Sequence, residues 1–369
     1  MCDENARALE QAGLLRLLAL GTRRGTSGVP AERTHLNFWI GLSTYAAARA
    51  FGTFQAECFR FRLLPWFDRW VLKQLQPGDH IISSYGYTNA CFNFVRQHGG
   101  KTFVDAGNSH IENFWEILSE EHRRWKSPFP PISRFWYDRS RAMLAEVDYV
   151  LSPSSYVSRS FLERGFRPGQ ILKNVYPVNL ERFRPGPEGR NGRPITIINT
   201  GSLSLRKGTP YLLEAFRIVQ RKHPSARLLL TRDVREDVLP ILRQYQDLRI
   251  DWSPSLPHAG LVERLRAADV FVLPSLEEGL ARAALEAMAC GLQVVLTPHT
   301  GANDFVHPGL NGEVVPIRDA QATAEAILIC AERAQRGFSP DMTDLRQKLS
   351  FETFARNFMN QLRELKLAP

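Results

Sequence analysis

The second half of this 369-residue chain alternates short apolar runs with one-faced helical patterns, and that rhythm restricts its fold more than any other feature. Residues 196–199, Thr-Ile-Ile-Asn, read as a buried strand, and residues 227–231, 270–273 and 294–297 read as further strands. After the first of these, Thr209 is expected as a helix N-cap with Pro210 at the first helical position, where its missing N–H costs little. Tyr211, Leu212, Ala215, Phe216 and Val219 then fall on one face of a helix. Residues 281–290 read as another helix, closed by Gly291, because a left-handed residue after the last turn favours glycine. Strands that alternate with helices in this way predict a parallel sheet with helices on both faces.

The first half carries the same rhythm less cleanly, with short strands expected at residues 80–83, 102–105 and 148–152. Between the halves, residues 182–194 concentrate Pro, Gly and charge, as a linker does. A chain this long exceeds what one hydrophobic core usually supports. The expected organisation is therefore residues 1–185 as an N-terminal Rossmann-like domain, 186–194 as a linker and 195–345 as a C-terminal Rossmann-like domain. Residues 346–369 are expected as a terminal helix packing back on the first domain. Ligands of such sheets bind at the carboxyl ends of strands, near the point where strand order reverses, so the chemistry is sought there.

Composition narrows the class. No run approaches the ~20 apolar residues of a membrane-spanning helix. The acidic start Met1-Cys2-Asp3-Glu4 has no secretory pattern, and Cys2, Cys58, Cys91, Cys290 and Cys330 are scattered without metal-binding spacing. A cytoplasmic setting is expected, with no disulfide framework. The formal charge of +9 points to an anionic partner without choosing one. No recognisable nucleic-acid module accompanies that charge, and no nucleic-acid partner is expected. Neither D-x-D nor H-E-x-x-H occurs, so no metal site is expected.

The densest signal is residues 274–291, P-S-L-E-E-G-L-A-R-A-A-L-E-A-M-A-C-G, which begins at a strand end and passes through a Gly-containing turn into a helix. Amides at such a helix start suit an anion. Glu286 sits among Ala283, Ala284, Leu285, Ala287, Met288 and Ala289, and a carboxylate in so apolar a helix needs partners, which ribose hydroxyls would supply. The alternative is an exposed Arg282–Glu286 pair one turn apart.

These residues resemble glycosyltransferase family 4, a group of retaining enzymes with the GT-B fold, two Rossmann-like domains facing across a cleft. Glu278 and Glu286, seven residues between them, match its paired glutamates, and residues 201–208, G-S-L-S-L-R-K-G, resemble its diphosphate-binding loop. Residues 300–306 and 309–312 are similar to the loop that follows in the family, so the likeness runs in order over roughly residues 145–320. The resemblance implies that Glu278 contacts donor-sugar hydroxyls, that Glu286 holds the ribose, and that amides around Gly279 and Leu280 hold sugar or phosphate. It implies that Lys207 neutralises the leaving diphosphate. His110, in the segment V-D-A-G-N-S-H of residues 104–110, is implied as the histidine that approaches the reacting sugar.

Two departures stand out. Ser202 occupies a position where many relatives carry Arg, leaving Arg206 to compensate from the same loop. Residues 5–18 read as the first helix with no strand before it, so the opening strand and Gly-rich turn of relatives are expected to be missing. The Gly-containing run of residues 21–28 is a second candidate lining of the cleft.

The implied activity is transfer of a sugar from a uridine or guanosine diphosphate sugar, needing no other cofactor, to a glycan or lipid-linked acceptor in bacterial cell-surface synthesis. The competing readings are a GT-B nucleotide-sugar epimerase and a catalytically silent nucleotide-sugar-binding subunit. Two basic-aromatic stretches, residues 59–73 and 123–141, further suggest an anionic membrane surface as a partner, on the inner face of the cytoplasmic membrane.

Overall fold

The computed structural model of the protein describes residues 2–21, 28–186, 193–231, 233–253, 258–337 and 343–369. The expected linker at 186–194 and the glycine run at 21–28 fall almost wholly outside the described residues.

Strands β1 (Leu18–Leu20) and β2 (Thr34–Leu36) form a small parallel pair. Strands β3 (Ile81–Ser83), β4 (Thr102–Asp105), β5 (Tyr149–Ser152) and β6 (Ile171–Lys173) form a parallel sheet in simple sequential order. The second half supplies β7 (Thr196–Asn199), β8 (Arg227–Thr231), β9 (Ile250–Ser253), β10 (Val270–Leu273), β11 (Gln293–Leu296) and β12 (Gly312–Val314). These six lie in the order β12-β11-β10-β7-β8-β9, all parallel. The chain thus steps outward from β7 in one direction, then returns to lay β10 on the other side of β7. The switch point of this doubly wound sheet lies between β7 and β10.

The expected strands at the sheet centres are found within a residue of their predicted bounds, because β10 and β11 are covered on both faces and read as unbroken apolar runs. The edge strands β6, β9 and β12 were not expected. Each is half-covered and carries polar residues, as in Ile-Asp-Trp-Ser of β9, so no apolar run marks it.

Three local expectations are corrected. The first helix spans Cys2–Gln11 and stops early because Gly13 adopts φ 71°, with its N–H on Glu10 O and that of Leu14 on Leu9 O. The apolar residues beyond it feed β1. Thr209 is not the cap of the helix Thr209–Lys222; Gly208 is, at φ 68°, while the Thr209 hydroxyl accepts the Ser204 N–H at 2.9 Å. A side chain at Gly208 would meet the Pro274 carbonyl oxygen at 2.0 Å, so only glycine fits there. The helix Arg282–Ala289 does end as expected at Gly291, φ 80°, with Gly291 N–H on Met288 O and Leu292 N–H on Ala287 O.

The terminal helix Phe351–Glu364 lies against the first half. Arg7 stacks over the Phe351 ring at 3.9 Å, Asn174 donates to the Phe354 carbonyl at 3.1 Å, and Gln361 donates to the Lys173 carbonyl at 2.9 Å.

Candidate active site

The two loops that leave the switch point are residues 200–208, after β7, and residues 274–281, after β10. Asn199 ties the strand ends together by donating to the Val272 carbonyl at 2.7 Å. Leu203 and Leu205 are buried and anchor the first loop, and Ser204 turns it by accepting the Lys207 N–H at 3.2 Å. What remains free to project from that loop is cationic.

The Arg206 side chain turns inward. It donates to a Glu278 carboxylate oxygen at 2.6 Å and to the Glu277 backbone carbonyl at 2.9 Å, and stands 3.6 Å from the Glu277 carboxylate. The Lys207 ammonium lies 3.5 Å from the other Glu278 oxygen. Burial opposes a charge on Glu278, but Arg206 and Lys207 outweigh it and hold the carboxyl below its usual range. Glu278 is therefore ionised and fixed between two cations, and its backbone is pinned by the His299 carbonyl and the Gly301 N–H.

Glu277, which the sequence reading passed over, is fully buried and bridges to the first half. One of its carboxylate oxygens accepts from the Asn108 side chain at 3.0 Å, the other from the Ser109 N–H at 2.8 Å. Burial pushes its carboxyl up, against the pull of Arg206. Beside it Ser154 donates to the Gly279 carbonyl at 2.6 Å. A Cβ on Gly279 would lie 2.1 Å from the Gly107 carbonyl oxygen, so the backbones of the two halves touch here. The signal in the sequence was Glu277 itself, an acid beside the matched glutamate in an otherwise apolar segment.

A cavity of ≈ 390 Å³ opens next to these loops. Ser202, Ser204 and Arg206 form its wall on the second half, with Gly107 and Asn108 opposite; Phe54, Phe61, Phe129 and Trp136 give it an aromatic side. The structure thus gathers Ser202, Arg206, Lys207, Glu278, Gly279 and Leu280 on two adjoining loops.

Glu286 and His110 sit elsewhere. Glu286 is half-buried on the helix Arg282–Ala289 and makes no hydrogen bond or ion pair among the described residues. The expected Arg282–Glu286 alternative does not form, because Arg282 pairs with Glu4 at 2.7 Å. Burial pushes the Glu286 carboxyl up to about 7, with Arg282 and Arg182 opposing. His110 is buried as the N-cap of the helix Ile111–Arg124, its Nδ1 accepting the Glu112 N–H at 3.3 Å. Its ring packs edge-on against Phe161 and Phe166, and it does not line the cavity. Burial pulls its pKa down to about 4, so the imidazole is neutral, and an accepting Nδ1 leaves the proton on Nε2.

Residues 194–333 match the family model described as Glycosyl transferases group 1. Over 308 residues the chain is 28% identical to the amylovoran biosynthesis glycosyltransferase AmsK of Erwinia amylovora, covering 78% of this chain and 70% of that one. A protein named for colanic acid biosynthesis, the glycosyltransferase WcaL of Escherichia coli (strain K12), is 29% identical over 214 residues, 56% of this chain. The chain spans about half of that relative's length, 53%. Among solved structures, Anabaena HepE in complex with UDP and glucose superposes with a TM-score of 0.65 at 14% identity, covering 99% of this chain and 96% of that chain. The chain thus has the GT-B fold, and its second half, residues 194–333, is matched by the glycosyl transferases group 1 family.

Proposed function

We propose that the chain is a retaining glycosyltransferase of family 4 that moves a sugar from a nucleoside diphosphate sugar to a hydroxyl of a glycan or lipid-linked acceptor in bacterial cell-surface synthesis. The observation that carries this is the convergence of Arg206, Lys207 and Glu278 on the two loops leaving the switch point. The likeness to HepE, whose structure holds UDP and glucose, supports a nucleotide-sugar donor. A matched mannosyltransferase of Mycolicibacterium smegmatis is named as GDP-mannose-dependent, so uridine and guanosine donors both belong to the test.

In this reading the donor diphosphate displaces Glu278 from Arg206 and Lys207, which then neutralise the charge that develops on the leaving group without a metal. Freed of one cation, Glu278 accepts from sugar hydroxyls. Amides of Gly279 and Leu280 hold sugar or phosphate, Ser202 lines the phosphate path, and Glu286 receives the ribose hydroxyls. His110, neutral with its proton on Nε2, donates a hydrogen bond toward the sugar. The acceptor oxygen bonds to the anomeric carbon on the face from which the diphosphate departs; the hydroxyl proton passes to a diphosphate oxygen, and nucleoside diphosphate is released. The contact of the two halves at Gly107 and Gly279 excludes water from that step.

The test is release of nucleoside diphosphate from a panel of uridine and guanosine diphosphate sugars, with the product anomer read by proton NMR. Release with retained configuration is expected. Binding without turnover would favour a silent subunit, and inversion at a sugar carbon of the free nucleotide sugar would favour an epimerase.

A further inference from the structure

Three helices of the first half leave a surface that the site does not use. The helix Phe38–Phe51 carries one charged residue, Arg49, in fourteen. Its residues Phe38 and Trp39 are each 68% exposed, Tyr45 is 62% and Leu42 is 44%. At one, four and seven residues from Phe38, the other three share one side of the helix with it. An isolated exposed aromatic is ordinary, but a contiguous apolar face of this kind is not.

The helix Thr53–Arg62 packs against it. Leu63 stays in the helical region at φ −83°, ψ −10°, so the register carries on into the helix Leu64–Leu72. Along this pair Phe59, Arg62, Trp66, Arg69 and Lys73 recur at alternating steps of three and four residues and are all exposed. Arg62, Arg69 and Lys73 form no hydrogen bond or ion pair among the described residues. No acidic side chain interrupts the stripe. The opposite side of the Thr53–Arg62 helix, Phe54, Glu57, Cys58 and Phe61, lines the cavity.

The second basic-aromatic stretch has no such surface. Trp125 donates to Glu121 at 2.8 Å and packs edge-on against Tyr211; Trp136 stacks on Phe61 at 4.9 Å. Its aromatics are spent inside the protein, which corrects the expectation that residues 123–141 share a membrane face.

We infer that the helices Phe38–Phe51, Thr53–Arg62 and Leu64–Leu72 form a docking surface for an anionic lipid bilayer. Phe38, Trp39, Leu42 and Tyr45 enter the headgroup boundary, and Arg62, Arg69 and Lys73 pair with lipid phosphates. Unpaired cations interleaved with exposed aromatics are the complement of a surface that is negative at its rim and apolar beneath. This inference goes beyond the transfer reading and is measured without any turnover.

Flotation with vesicles of phosphatidylcholine alone, or mixed with phosphatidylglycerol, tests it. The full chain should float with the anionic vesicles and detach as salt rises. Arg62→Ser/Arg69→Ser/Lys73→Ser should weaken binding about a hundredfold, with an unchanged melting temperature, since all three side chains are exposed. Trp39→Ser/Leu42→Ser should weaken it while keeping the preference for anionic vesicles. Arg123→Ser/Arg124→Ser/Lys126→Ser should float like the wild type. Absence of flotation on both vesicles, or equal flotation on both, would overturn the inference, as would loss of binding only in the Arg123 series. Sedimentation as a dimer that Trp39→Ser/Leu42→Ser dissolves would overturn it in favour of a second copy of the chain.

Discussion

Glu286→Gln should make the unliganded protein more stable at alkaline pH while weakening nucleotide binding. The Glu286 carboxyl is half-buried among alanines, without a hydrogen-bonding partner among the described residues, and its would-be partner Arg282 is held by Glu4. Its folded-state pKa is raised from 4.5 to about 7. A group raised in this way contributes stability that is present below the unfolded value and lost as pH rises through the folded one. The wild type therefore gives up stability between pH 4.5 and about 7. At about 1.4 kcal/mol per unit the upper bound is roughly 3 kcal/mol, and partial exposure brings it to about 1–2 kcal/mol. The amide has no ionisation to lose. Urea titrations followed by tryptophan fluorescence should show Glu286→Gln level with the wild type near pH 4.5 and ahead of it above pH 7. Added nucleotide should reverse the order, because the wild type gains binding energy that the variant lacks. A variant less stable than the wild type at both pH values would refute this reasoning, since the carboxylate would then be a satisfied structural group.

Arg206→Met should destabilise the fold by about 3 kcal/mol, because it leaves the buried Glu277 carboxylate without its cation. Glu277→Gln in the same chain should restore about 1–2 kcal/mol of that loss in a denaturation cycle, and strict additivity would contradict the pairing. Gly279→Ala must push the halves apart, since the new carbon would lie 2.1 Å from the Gly107 carbonyl oxygen. Turnover should fall about a hundredfold while nucleotide affinity, measured separately, stays near that of the wild type. For His110 the folded pKa is about 4 against 6.5 normally, so its contribution to stability is lost as pH falls from 6.5 toward 4. His110→Asn should flatten that stretch of the stability–pH curve, and the wild-type rate should show no ionisation of this group near neutrality.

The centre of the second sheet was legible in the sequence because β7, β8, β10 and β11 are buried runs bounded by glycines and caps. The edges were not: β9 and β12 owe their place to pairing with a neighbour already in position, and three or four residues of mixed polarity carry no period. Of the site, spacing alone exposed Glu278, Glu286 and Lys207, since both loops are continuous in sequence. Glu277 escaped because its partners Asn108 and Ser109 lie in the other half of the chain, and only folding brings them together. Arg206 could be named as a cation, but its inward turn toward Glu278 is a property of the loop's buried anchors Leu203 and Leu205.

Titration calorimetry of UDP, GDP and their sugar conjugates against the wild type and Lys207→Ala tests most directly whether the two switch-point loops form a donor site. One base should bind with a dissociation constant of about 1 μM to 1 mM, the range in which substrates usually bind. Lys207→Ala should weaken that binding at least tenfold, as expected for a lost charge-assisted contact of about 1.5–3 kcal/mol. Failure of every nucleotide to bind, or equal affinity in the two proteins, would contradict the assignment.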